Sequence, residues 1–261
     1  MEQAILSINE VSKRFGGLPA VDKVSLRVRK GQIKALVGPN GAGKTTLFNL
    51  ITGTYPANEG RIEFAGKDIT GHQPHMVNSY GLARTFQILR LFDKLTALDN
   101  VKIGCHRWTQ TGPLGGFFLT PKVRREEDLV REKALECLEM VGLTKVAGQL
   151  AGNLPLGQRK LLEVARALAS QPRLLLLDEP AAGLNDSETN EFLGRIRKIR
   201  DTGVTVLLIE HNMNLVMRLS DEVAVLNYGK KIADGRPEDI QNNPEVISAY
   251  LGTRGLERAE H

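Results

Sequence analysis

Nine consecutive residues, Gly38-Pro39-Asn40-Gly41-Ala42-Gly43-Lys44-Thr45-Thr46, carry the densest chemical signal in the chain. They meet every fixed position of the phosphate-binding pattern G-x-x-x-x-G-K-[ST]. Glycines lack a Cβ, so the backbone bends tightly and turns its N–H groups towards phosphate oxygens. A helix starting near Gly43 aims its positive end at the same oxygens. Lys44 is placed to reach β- and γ-phosphates, and the Thr45 hydroxyl to ligate Mg²⁺. A glycine-rich turn before a helix is the plain alternative. The apolar run Ile33, Ala35, Leu36, Val37 ahead of the motif, and Leu47, Phe48, Leu50 and Ile51 at helical spacing behind it, supply the strand–loop–helix context that phosphate binding requires.

Other candidates stand at the ends of apolar runs. Leu177-Asp178-Glu179-Pro180 closes a four-leucine run with adjacent carboxylates, and the carboxyl edge of a parallel strand faces the ligand crevice of such folds. Asp178 suits an outer-shell partner of Mg²⁺ near Thr45, and Glu179 suits a polariser of an attacking water. Alone, the pair would read as a solvated turn. Glu210-His211 ends the next apolar run. His211 is either an ordinary strand-end histidine or a donor to the γ-phosphate that senses its loss. Gln87, after Arg84-Thr85-Phe86, draws interest only from its position: a neutral amide there can meet both metal and water. Phe15 fits an adenine-stacking ring and a core phenylalanine equally well. Leu154-Pro155-Leu156-Gly157-Gln158 precedes a helix expected over Arg159 to Ala169, another N-terminus suited to phosphate.

These residues need a scaffold of strands and helices. Strands are expected at Ile5–Ile8, Val24–Val28, Arg61–Phe64, Leu174–Leu177, Val204–Ile209 and Val223–Leu226, with a turn-rich link from Phe15 to Ala20 and a turn at Gly66-Lys67-Asp68. Strands alternating with helices imply a mainly parallel sheet. From about Leu91 to Gly152 the character changes: Gly112 to Gly116 is a breaker cluster, and Val123 to Met140 is a charged amphipathic helix, so the segment reads as a helical insertion. The polar tail from Gly252 is expected to fray. At 261 residues the chain holds one large α/β domain or a core with a smaller subdomain. No apolar run is long enough for a membrane span, and no secretory signal is visible. Cys105 and Cys137 therefore read as free thiols in a reducing cytoplasm. A net charge of +5 permits contact with anionic lipid or nucleic acid without arguing for either, while 5% aromatics, with no rings interleaving a basic stripe, weaken a single-stranded nucleic-acid reading.

Phosphate loop, Gln87, a Gly-Gln element before a helix, Asp178-Glu179 and His211, in that order, resemble an ABC-type ATP-binding cassette over residues 5–252. Arg84-Thr85-Phe86-Gln87, Leu91-Phe92 with Leu95-Thr96, Ala181-Ala182-Gly183-Leu184-Asn185, Glu210-His211 and the tail Asn243 to Leu251 are similar to the ATP-binding subunit of branched-chain amino acid importers. The resemblance implies an α/β P-loop NTPase core with a mainly parallel sheet, an N-terminal antiparallel β subdomain and an inserted helical subdomain. Core stretches of 1–90 and 159–240, a helical subdomain of 91–158 and a C-terminal extension of 241–261 are expected. It also implies ATP and Mg²⁺ as cofactors, with Thr45, Gln87 and Asp178 towards the metal. Two cassettes, identical or not, would pair head to tail, with Gly157 and Gln158 on the partner's nucleotide and Ala182 to Asn185 linking the two sites.

The same resemblance implies two membrane-spanning permease subunits docked around Gln87 to Asn100, an extracytoplasmic binding protein, and a place on the cytoplasmic face of a prokaryotic inner membrane. A soluble ABC ATPase acting on DNA or ribosomes is the rival, but there are no sustained heptads and only one cassette. A non-hydrolysing regulatory subunit and a lipopolysaccharide export ATPase are the other readings. One departure stands out: Pro155 replaces the signature serine and Leu156 fills the third place, so a hydroxyl expected at the γ-phosphate is missing.

Overall fold

The computed structural model describes residues 3–107 and 121–257, without the side chains of 121–122 and 251–257. The Gly112–Gly116 cluster lies outside the described residues. Strands β1 (Ala4–Phe15) and β2 (Leu18–Arg29) pair antiparallel across Gly16-Gly17. These glycines take φ of 53° and 90°, the left-handed conformation a two-residue hairpin needs. The strands thus run beyond the apolar patterning, and Leu18 to Ala20 belong to β2 rather than to a loop. β3 (Ile33–Val37), buried at every residue, leads into the phosphate loop and α1 (Lys44–Ile51). β4 (Glu59–Phe64) and β5 (Lys67–Asp68) extend the hairpin into a sheet ordered β2-β1-β4-β5. Lys67 and Asp68 are therefore paired residues, and the turn lies just before them.

Next come α2 (Pro74–Ser79), β6 (Leu82–Arg84), α3 (Ala97–Gly104), α4 (Pro121–Met140) and α5 (Leu156–Leu168). α3 packs against α4 and α5, and the Thr96 hydroxyl caps α3 by accepting the Asp99 N–H at 3.0 Å. α5 starts three residues before the expected Arg159, with Pro155 as its N-cap residue, so it crosses the expected 158/159 boundary unbroken. β7 (Leu174–Asp178), α6 (Asp186–Asp201), β8 (Thr205–Ile209), α7 (Met213–Leu219), β9 (Glu222–Asn227) and β10 (Lys230–Gly235) follow. α8 (Pro237–Gln241) and α9 (Pro244–Glu257) end the described chain. α9 stays helical past Gly252, where fraying was expected.

The larger sheet is ordered β10-β9-β3-β8-β7-β6. All its pairs are parallel except β10–β9. Its two faces are both covered. Ile33, Leu175 and Leu208 join the helical layer's core, whereas Leu36, Leu176 and Leu207 join the core under α1 and the antiparallel sheet. Strands dry on both faces have no polar residue to alternate with. Cys105 and Cys137 are free and buried, and burial pushes their thiols up to about 11 and about 12.

Register then places the chemistry. Ile209 pairs with Leu36 on one side and Asp178 on the other. The phosphate loop, Glu179 and Glu210-His211 therefore leave the sheet at one edge, side by side. Phe48 of α1 is fully buried beneath that edge. Phe48→Ala is expected to destabilise the protein by about 3–5 kcal/mol through the cavity it leaves, read as a lowered urea midpoint. An unchanged midpoint would show that α1 does not anchor this layer.

Candidate functional site

The phosphate loop is shaped by backbone that only glycine adopts freely. Gly38, Gly41 and Gly43 have φ of 151°, 78° and 99°. A Cβ on Gly38 would sit 2.1 Å from the Leu226 carbonyl oxygen, and one on Gly43 2.3 Å from that of Ala20, so both are locked by β9 and β2. Pro39 and Thr46 are half-buried, Ala42 is buried, and Asn40, Gly41 and Thr45 are exposed. No side chain caps α1, and its first turn holds no acid. Its N-terminus is thus an unneutralised positive end, which fits a phosphate.

Lys44 is only 7% exposed. Its Nζ donates to the carbonyl oxygens of Gly38 at 2.7 Å and Pro39 at 2.9 Å. Burial pushes its pKa down, while Glu179 and Asp178 pull it up. A desolvated ammonium folded onto its own loop is a cation in want of an anion.

Asp178, at the end of β7, is 4% exposed. Its Oδ2 accepts from Arg84 Nη2 at 2.8 Å. Arg84 ends the neighbouring strand β6, and its Nη1 donates to Asn49 Oδ1 of α1 at 2.6 Å. Sequence reasoning quoted Arg84 but gave it no role; a basic residue three before Gln87 was the available signal. Glu179 follows with φ of 46°, a left-handed conformation costing a non-glycine residue about 1–2 kcal/mol. Its N–H donates to the Ile209 carbonyl at 3.0 Å. Gln87 Nε2 donates to Glu179 Oε2 at 3.0 Å, and His211 Nδ1 lies 3.7 Å from that same oxygen. Glu210 turns inward instead: it is buried, accepts the Ala181 N–H at 3.1 Å, and has its pKa raised by that burial.

The structure thus gathers Lys44, Asp178, Glu179, Gln87 and His211 at one edge. Gly157 and Gln158 sit apart, at the N-terminus of α5, where Gly157 packs on Glu188 of α6. Phe15 is half exposed at the β1 hairpin, its ring edge-on to Tyr55 at 5.4 Å. Among the described residues, no hydrogen bond joins Phe15, Gly157 or Gln158 to the phosphate loop. Tyr250 of α9 reaches the Gly38 backbone, and burial pushes its phenol up to about 12, a neighbour sequence reasoning missed.

A two-faced parallel sheet with a Lys44 phosphate cradle, an antiparallel β layer and a helical layer defines an ATP-binding cassette. The ABC transporter family profile matches residues 21–182, and that of the branched-chain amino acid ATP-binding cassette transporters matches residues 230–255. The chain is 48% identical to the high-affinity branched-chain amino acid transport ATP-binding protein BraF of Pseudomonas aeruginosa, covering 97% of this chain and 99% of that one. It is 44% identical to LivG of Escherichia coli, a protein of the same description, over the same shares. The ADP conformation of MJ1267, an ATP-binding cassette of an ABC transporter, superposes with a TM-score of 0.84 at 36% identity, covering 96% of this chain and 99% of that one. The chain belongs to the ABC transporter family, as an ATP-binding cassette of its branched-chain amino acid branch.

The Arg84–Asp178 pair is buried on both sides. Arg84→Met would strand a desolvated carboxylate and is expected to cost about 3–5 kcal/mol, measured by urea unfolding. A loss below about 1 kcal/mol, the range of an exposed pair, would mean that water compensates Asp178.

Proposed function

We propose that this chain is the ATP-hydrolysing subunit of an importer for branched-chain or related amino acids. The observation that carries the reading is the convergence of Gln87 and His211 on one carboxylate oxygen of Glu179, at 3.0 and 3.7 Å, beside the Lys44 cradle. ATP enters with its phosphates over Gly38 to Thr46. Loop N–H groups and Lys44 hold the β- and γ-phosphates. Phe15 stacks on the adenine, with Tyr55 steadying its ring.

Thr45, Asp178 and Gln87 offer oxygen donors, the set that Mg²⁺ prefers. Phosphate oxygens and water would complete the shell of an ion held there. When bound, the ion neutralises charge on the phosphate oxygens. Arg84 holds the Asp178 carboxylate fixed towards that position through its 2.8 Å hydrogen bond. Glu179 accepts a proton from the attacking water, and His211 donates to the γ-phosphate.

Gly157 and Gln158, remote from the chain's own cradle, serve the nucleotide of a second cassette. A head-to-tail dimer, of like or unlike chains, completes both sites. The proposed lobes are the core of 1–90 with 159–240, the helical 91–158 and the extension 241–261, the first two sharing α5 across their boundary. Phe86, Ile88, Phe92 and Leu95 expose apolar surface around Gln87, which suits docking of two permease subunits. Among the described residues no helix is long and apolar enough to cross a membrane. The likeness to branched-chain amino acid transport ATP-binding proteins supports a peripheral subunit at the cytoplasmic face of the inner membrane, supplied by an extracytoplasmic binding protein. Nucleic acid is not a partner.

Glu179→Gln is expected to bind ATP with unchanged affinity and to lose turnover by about a hundredfold or more, the upper range for a general base. Hydrolysis at the unmodified rate would remove Glu179 from the chemistry. Pro155→Ser supplies both an N-cap oxygen for α5 and the missing hydroxyl. A hydrogen bond to a charged phosphate is worth about 1.5–3 kcal/mol, and about 1.4 kcal/mol is a decade in rate. Turnover of the variant should rise about tenfold or more; equal rates would show the hydroxyl to be immaterial here.

A further inference from the structure

Lys160, Glu163 and Arg166 lie three residues apart on α5, on one stripe of the helix. α5 is also the helix whose N-terminus carries Gly157 and Gln158. The stripe is polar yet buried: Lys160 is 8% and Glu163 4% exposed. Its partners belong to the Glu179 site. Lys160 Nζ donates to the Glu179 carbonyl oxygen at 3.4 Å. The Glu163 carboxylate lies beside Phe86 and Gln87; its Oε1 is 3.6 Å from Arg166 Nη2 and has no hydrogen-bond partner among the described residues. Arg166 Nη1 donates to the Arg90 carbonyl. The Arg90 end of the Gln87 segment is therefore hydrogen-bonded to α5, and its Phe86 end packs beside Glu163. Phe86, Gln87, Lys160, Glu163 and Pro180 enclose a gap of about 10 Å³, room for one water at most.

We propose that Lys160, Glu163 and Arg166 are positioning residues that clamp the Gln87 segment and the Glu179 peptide to the helix bearing Gly157 and Gln158. The clamp rests on the site reading above. It gives that reading a physical link between the two nucleotides of a dimer. The N-terminus of α5 meets the neighbouring nucleotide, and the stripe carries the resulting displacement to the chain's own Gln87 and Glu179. Misplacement of a reacting group by about 1 Å costs on the order of a hundredfold in rate, so small shifts of this helix suffice.

The test is a double-mutant cycle on ATP turnover of the full-length chain, with Glu163→Gln, Gln87→Ala and the pair. Glu163→Gln is expected to lower kcat about tenfold while KM for ATP stays within about twofold. Because Glu163 acts through the Gln87 segment, the double variant should be within about twofold of Gln87→Ala alone. Losses that multiply, an unchanged kcat, or a kcat loss matched by an equal loss of ATP affinity would each overturn the clamp. Gln87→Ala alone turning over at the unmodified rate would instead overturn the site reading, and the clamp with it. If Glu163→Gln does not fold, Arg166→Leu, at the more exposed end of the stripe, carries the same cycle with the same expectations.

Discussion

Charge buried at the edge of a dry sheet is the constraint on which this molecule is built. β7 and β8 carry apolar runs at 174–177 and 206–209, covered on both faces, yet each run is followed directly by an acidic residue, Asp178 or Glu210, that remains buried. Buried carboxylates require partners, and each has found its own. Arg84 comes from the adjacent strand to meet Asp178. The Ala181 N–H meets Glu210. Lys44 rests on loop carbonyls while both Asp178 and Glu179 act on it from across the crevice. Positive and negative groups are thus fixed before any ligand arrives. A preorganised arrangement of this kind does not need to reorient when charge develops on a phosphate.

Strained backbone fits the same logic. Glu179 is held left-handed by three anchors on its peptide: its N–H on Ile209, and its carbonyl accepting from Ala182 and Lys160. Strain persists where surrounding contacts over-determine it. Here those contacts come from β8, from the turn leading to α6, and from α5. The side chain is consequently aimed at Gln87 and His211 by elements distant from one another in sequence.

That distance explains what could be read from the sequence. β7, β8 and β9 were legible because two-sided burial writes itself as an apolar run, and β3 because Ala35, Leu36 and Val37 lead into the phosphate loop despite the ion-paired Lys34 ahead of them. The phosphate loop and the Asp178-Glu179 and Glu210-His211 pairs were legible because their spacing is local. β6 was not, since Leu82–Arg84 is too short to show a period. Nor was β10, whose Lys230–Gly235 is a polar edge strand between glycines. The β1–β2 hairpin was shortened in the reading because Pro19 and the paired glycines resemble a loop. Arg84 and Asp178 are separated by 94 positions, and nothing in either neighbourhood announces the other. Lys160, Glu163 and Arg166 look like an ordinary solvated face until the Phe86–Arg90 segment is laid over them.

α5 shows why a helix can be both scaffold and transmitter. Leu161, Val164, Ala165 and Leu168 are buried in the helical layer's core, which fixes the helix against sideways movement because packed interiors have few voids to yield into. Gly157 closes the other end, where an added Cβ would come within 3.0 Å of the Glu188 carboxylate. Glu188 is itself tied into the capping box with Asn185 at the start of α6. A helix gripped at its side by apolar packing, at its tip by α6 and along its polar stripe by the Gln87 segment has little freedom to bend. What remains available to it is movement as a unit, and whatever displaces its N-terminus must reach Gln87 and Glu179.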